Sequence, residues 1–232
     1  MVFLTATALD LRAQLAQRFP DAVPLPGRRE AGLRTGIEAF DNALPNNGLP
    51  RGRPTIWATP GAGATAILMA TVHQLLATGQ RAAWIDGSRM LGLGWPDGPL
   101  MLRPRTALLG LRFAELLLES GGFALVVLSG VPVERTTLFR LARATHEGGG
   151  AFALLTEGTL PAALRVRSRY VTERIRYQPT PFGDPARLTS VTVAIDAVAS
   201  GWQRNTTLTL PLDTHDVRCA LDSGLADRRG GE

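Results

Sequence analysis

Apolar positions along the chain follow two rhythms. Near the start, Leu4, Ala8, Leu11, Leu15 and Phe19 recur at helical spacing, with Thr7 and Asp10 as a weak capping pair and Pro20 as a stop. This predicts a short amphipathic helix, followed by a Pro- and Gly-rich connector over 20–32 that lacks periodicity. From Thr35 onward, short apolar runs alternate with helical patterns. Strands are expected at 55–59, 81–86, 123–129 and 151–156, and helices at 66–78, 106–120 and 136–146. A Gly/Ala-rich turn over 60–65 joins the first strand to its helix, and the second strand leads into a loop that runs to Pro104. The runs at 123–129 and 151–156 are apolar throughout, as in strands buried on both faces. Such alternation implies right-handed crossovers, and so an α/β fold of three layers with a mainly parallel central sheet.

Beyond Pro161 the rhythm changes. Residues 162–170 read as a helix, and 171–177, 188–198 and 206–212 as strands. Turn-rich stretches at 179–185 and 201–205 separate these strands, which predicts an antiparallel extension of the sheet. The expected organisation is an N-terminal helix and linker over 1–33, a core over 34–212 and a flexible tail over 213–232.

Composition sharpens this picture in a few places. A single α/β domain is the default at 232 residues. One cysteine excludes an internal disulfide and any zinc site built on paired cysteines, and His73, His146 and His215 are too far apart for metal-ligand spacing. No metal and no cofactor are expected. No apolar run reaches the roughly 18 residues that span a bilayer. The first twelve residues carry Asp10 and no early positive charge, so a cytoplasmic protein without membrane contact is expected. All 25 basic residues are arginine, and the formal net charge is +5. That balance admits an acidic partner, nucleic acid included. The lack of lysine excludes Schiff-base chemistry and the usual lysine grip on a nucleotide phosphate.

The turn after the first strand has the layout of a phosphate-binding loop. A working loop, G-x-x-x-x-G-K-[ST], cradles phosphates with backbone N–H groups, neutralises them with lysine and holds magnesium with the hydroxyl. Here the run is Ala58-Thr59-Pro60-Gly61-Ala62-Gly63-Ala64-Thr65. Gly63 and Thr65 fit the pattern, Ala58 stands for the first glycine and Ala64 for the lysine. Either a vestigial loop or an ordinary tight βα connection accounts for it.

The stretch from Arg34 to Ser129 resembles the core of the bacterial RecA recombinases. The most specific part is the lead-in, Arg34-Thr35-Gly36-Ile37-Glu38-Ala39-Phe40-Asp41-Asn42-Ala43-Leu44 and then Gly48-Leu49-Pro50-Arg51-Gly52-Arg53. The strand Ala82-Ala83-Trp84-Ile85-Asp86 resembles the family's second strand, and Leu116 to Ser129 the helix and strand that carry its magnesium-linked aspartate. The resemblance implies a RecA-like fold and marks where catalytic groups would stand. The water-polarising glutamate falls on Ser88, the metal-linked aspartate on Leu128, and the γ-phosphate-sensing glutamine near Glu157. The family's DNA-contacting loop would fall between Glu157 and Pro161, which is too short to hold it. The implied protein is therefore not an enzyme.

A final candidate is the arginine-dense segment Arg165, Arg167, Arg169, Arg174 and Arg176, interleaved with Val166, Tyr170, Val171, Ile175 and Tyr177. Read as a helix and then a strand, it offers bidentate grips for carboxylates of a protein partner or, ranked lower, for phosphates. It can equally be a solvated basic face. Small RecA-like proteins without catalytic residues include ImuA, of a mutagenic translesion-synthesis cassette, and the cell-division inhibitor SulA, which blocks FtsZ assembly. Length and lead-in look closer to ImuA. That resemblance implies a DNA-damage-response accessory protein acting in error-prone translesion synthesis, with RecA and an ImuB-like polymerase homologue as partners and weak non-specific DNA binding left open. A SulA-like inhibitor and a diverged DNA-binding ATPase are the alternatives.

Overall fold

The computed structural model describes residues 31–59, 63–89, 91, 98–157, 160–179 and 185–211, all within a compact unit that begins at Ala31. The expected N-terminal helix and the tail over 213–232 lie outside the described residues. A short helix, α1 (Glu38–Asp41), stands in the lead-in. It is followed by β1 (Pro54–Ala58), α2 (Ala64–Ala77), β2 (Ala82–Asp86), β3 (Leu100–Leu102), α3 (Ala107–Glu119), β4 (Leu125–Ser129), α4 (Arg135–Gly148) and β5 (Ala151–Thr156). Then come β6 (Leu164–Tyr170), a 3-10 turn (Thr172–Arg174), β7 (Arg176–Pro179), β8 (Pro185–Ala199) and β9 (Trp202–Pro211). The sheet order is β3-β2-β4-β5-β1-β6-β8-β7, with β9 also on β8. Pairs from β3 through β6 are parallel, and β8 is antiparallel to β6, β7 and β9. The expected architecture therefore forms: an α/β fold with a mainly parallel sheet and antiparallel C-terminal strands.

Alternation along each strand sorts the core into two layers. Trp57, Trp84, Val127 and Ala153 meet Ile67, Leu68, Val72 and Leu75 of α2 on one face. Ile56, Ile85, Val126, Leu128, Phe152 and Leu154 meet Ala114 and Leu118 of α3 and Leu138 and Leu141 of α4 on the other. Both indoles on the α2 side need a partner for their N–H once buried. Trp57 Nε1 donates to Ser168 Oγ at 2.9 Å, and Trp84 Nε1 to Ser129 Oγ at 3.0 Å. Helix ends follow local chemistry: the Thr106 side chain accepts from Leu109 N to open α3, and Gly149, at φ 70°, closes α4.

The lead-in is pinned by one buried carboxylate. Asp41 accepts from Thr35 N at 2.9 Å and from Thr35 Oγ1 at 2.8 Å. Leu33 bridges Leu49, and Phe40 lies 5.7 Å from the Trp57 ring. Thr35 and Asp41 thus set the conformation that brings the chain into β1.

Four local expectations need correction. Residues 162–170 contain strand β6, not a helix: Leu164, Val166 and Ser168 point into the core while the arginines between them point out, a period of two. Its parallel register with β1 and antiparallel register with β8 fix that choice. The stretch 171–177 is broken by the 3-10 turn, so only Arg176 and Tyr177 belong to β7. The loop before Pro104 holds β3, three residues paired with β2 and too short to show periodicity. The turn expected over 201–205 shrinks to Ser200 and Gly201, because Ala199 pairs directly with Trp202 and Gly201 supplies φ 68°.

Candidate functional site

Where the loop after β1 enters α2, the described residues meet apolar contacts. Gly63 caps α2 in the left-handed region at φ 75°, as expected for a residue turning from loop into helix. A Cβ there would lie 2.8 Å from Val193 Cγ2 and 3.6 Å from Leu210 Cδ1, so the β8–β9 hairpin packs directly on this glycine. Ala64, at the lysine position, is 2% exposed within the α2-side core, whereas Thr65 is exposed. Ala58 ends β1, half-buried. Gly61 lies outside the described residues.

The acidic positions are equally informative. Asp86 is fully buried at the end of β2. It accepts from Ser88 Oγ at 2.8 Å and from Leu91 N at 3.1 Å, and Arg103 Nε stands 3.9 Å away. Arg103 also donates to the Leu91 carbonyl. Ser88, at the place of the water-polarising acid, thus satisfies a neighbouring carboxylate. Leu128 faces the α3–α4 layer, away from α2. The end of β4 that faces the α2 side is Ser129, which holds the Trp84 indole. Glu157 is exposed just after β5. Among the described residues, no cluster of three metal-ligating side chains forms, and no helix is long and apolar enough to cross a membrane.

The arginine segment is brought together, by strand geometry where a helix was expected. Arg165, Arg167 and Arg169 pair with Val198, Asp196 and Ala194 of β8. Arg176 pairs with Ser190 further along the same strand. Those partners are separated by even numbers of residues, so all four arginines lie on one face. Val171 N donates to Thr192 O at 2.9 Å, which keeps β6, the turn and β7 on one course along β8. Arg174 sits exposed in the turn. Arg165 is half-buried, and its Nη2 donates to Leu160 O at 2.7 Å. Arg167, Arg169 and Arg176 are exposed.

A second surface was not legible as a site. On α3, Leu108, Arg112 and Leu116 fall at i, i+4 and i+8, with Leu108 77% exposed and Leu116 48% exposed. On α4, Phe139 is 57% exposed beneath the Arg135 guanidinium, 5.9 Å from the ring centre. Glu115 ties the two helices together, accepting from Arg140 Nη2 at 2.8 and 2.7 Å and from Arg112 Nη1 at 3.2 Å. The Arg140 hydrogen bonds, opposed by burial and aided by the charges of Arg140 and Arg112, hold the Glu115 carboxyl below its ordinary value.

No family model matches the chain. It is similar to RecA proteins over part of its length. The RecA of Azoarcus sp. strain BH72 is 32% identical over 107 residues, covering 43% of this chain and 31% of that protein. The RecA of Mycobacterium leprae is 31% identical over 142 residues, 57% of this chain and 19% of the relative, and that of Desulfotalea psychrophila 29% over 126 residues, 51% and 34%. The chain thus matches about a third or less of these relatives' length. The α/β sheet with antiparallel C-terminal strands fits a RecA-like fold.

Proposed function

We propose that this RecA-like chain is a non-catalytic accessory protein of DNA repair that acts by protein–protein contact. The similarity to RecA proteins supports the repair setting. The observation that carries the rest is the contrast between Gly63 and Ala64, met by apolar side chains at the start of α2, and the exposed apolar side chains on α3 and α4. Ala64 and Gly63 meet core residues, whereas Leu108, Leu116 and Phe139 stay in solvent. Large apolar side chains left exposed among charged ones, as on these two helices, are the kind of surface that protein contacts use. A RecA-shaped subunit can dock head-to-tail on a RecA-type partner without completing the next nucleotide site. In this reading it caps or modulates that partner in error-prone translesion synthesis, alongside an ImuB-type polymerase homologue.

The test is RecA filament assembly and ATP turnover on single-stranded DNA with an excess of this protein. Both are expected to fall, and a Leu108→Glu, Phe139→Glu variant is expected to lose the effect. Unchanged assembly and turnover overturn the proposal.

A further inference from the structure

We infer that the outer face of β6, β8 and β9 binds the sugar-phosphate backbone of single-stranded nucleic acid, independently of the accessory role proposed above. The face begins where helical cover ends. Arg165 is the register partner of Ile56 in β1, and Ile56 still packs beneath the α3–α4 layer. One strand further out, apolar residues give way to Arg167 and Arg169. With Arg176 they form a row along one edge of β8. From the Arg165 partner, Val198, to the Arg176 partner, Ser190, the row extends roughly 27 Å at strand rise.

Beside this row lie mostly small or neutral polar groups, with Asp196 in β8 and the exposed Glu173 in the turn before Arg174 as the carboxylates. The β8 column presents Ala194 and Asp196 and the β9 column Asn205 and Thr207. Asp196, the one carboxylate of these two columns, receives the Asn205 amide at 3.2 Å once that amide is oriented to its neighbours. Among the described residues, Arg167, Arg169 and Arg176 take part in no ion pair within 4.0 Å.

Charge complementarity therefore calls for a linear polyanion. Protein partners are anchored by aromatic or aliphatic groups in a desolvated centre; among the described residues this face carries Val198 and Tyr177 only towards its two ends, with Ala194 between them. The β6 guanidiniums, two residues apart, with Arg176 further along β8 beyond the 3-10 turn, suit a repeating phosphate, each able to grip it bidentately. Tyr177, 54% exposed next to Arg176 in β7, adds a stacking surface for a base. Binding of this kind is independent of base sequence.

Fluorescence anisotropy of the full chain with a labelled oligothymidine of about 20 nucleotides, longer than one such site, tests this. Three to four engaged arginines give a log–log salt slope of about −2 to −3. An Arg167→Ala, Arg169→Ala variant is expected to weaken binding at low salt at least tenfold and to flatten the slope by about 1.4. Thr207→Glu, which leaves the arginines in place and adds a like charge to the ligand's path, is expected to weaken it too. Removal of two exposed arginines elsewhere, Arg34→Ala with Arg105→Ala, is expected to change it far less. Absence of binding at low salt, equal losses from both arginine pairs, or tighter retention of polyglutamate of matched charge would each overturn the inference.

Discussion

The two halves of one sheet obey different rules. From β2 to β1 both faces are covered, by α2 on one side and by α3 and α4 on the other, and the strands are apolar apart from Thr55 and the residues at their ends, Asp86, Ser129 and Thr156. From β6 to β9 the α2 side is apolar and buried, while the other face of β6 and β9 is polar or charged and that of β8 mixes Thr192 and Asp196 with Ala194 and Val198. Helical cover, more than strand direction, decides which side chains a strand can carry. The parallel half has room for little but packing, and the antiparallel half has a free face that chemistry can occupy.

The largest effect separating the halves is expected at Leu128. Leu128→Asp places a carboxylate in the dry layer against α3 and α4, and should cost more than about 4 kcal/mol by urea unfolding without creating magnesium affinity. A smaller loss would mean that this position opens toward solvent. Next comes the seam where the hairpin meets the loop. Gly63→Ala combines a left-handed φ with a clash on Val193, and should cost about 2 kcal/mol. If that contact is real, Gly63→Ala with Val193→Ala costs less than the sum of the single changes.

The Glu115 clasp gives a smaller, pH-dependent effect. Its carboxyl is held below the ordinary value of 4.5, so the folded state binds that proton less readily than the unfolded one. The stability it contributes is complete above that value and is lost as pH falls through the lowered one. Glu115→Gln should therefore lower the urea midpoint at neutral pH and match the wild type in strong acid. The smallest effect is expected on the bare face: Arg167→Ala and Arg169→Ala should each shift stability by no more than about 0.5 kcal/mol.

Legibility in the sequence followed the same division. Runs such as Leu125 to Ser129 announce a doubly covered strand by composition, and β1, β2, β4 and β5 lie where expected. β6 escaped because Leu164-Arg165-Val166-Arg167 satisfies helical and strand periods over so short a span, and only pairing with β1 and β8 decides between them. The loop glycine and the missing lysine were legible as residue types. Val193 over Gly63 was not, since it joins residues far apart in sequence. The α3–α4 ridge looked like core, because Leu108 and Leu116 sit in a helix whose other face truly is buried.

Calorimetric titration of the full chain with magnesium-ATP bears most directly on the proposal that the protein works without nucleotide chemistry at the β1–α2 connection. Buried Ala64 at the lysine position, and the absence of a carboxylate at Ser88 and Ser129, predict no measurable binding heat up to near-millimolar nucleotide. Saturable binding with micromolar affinity would contradict it.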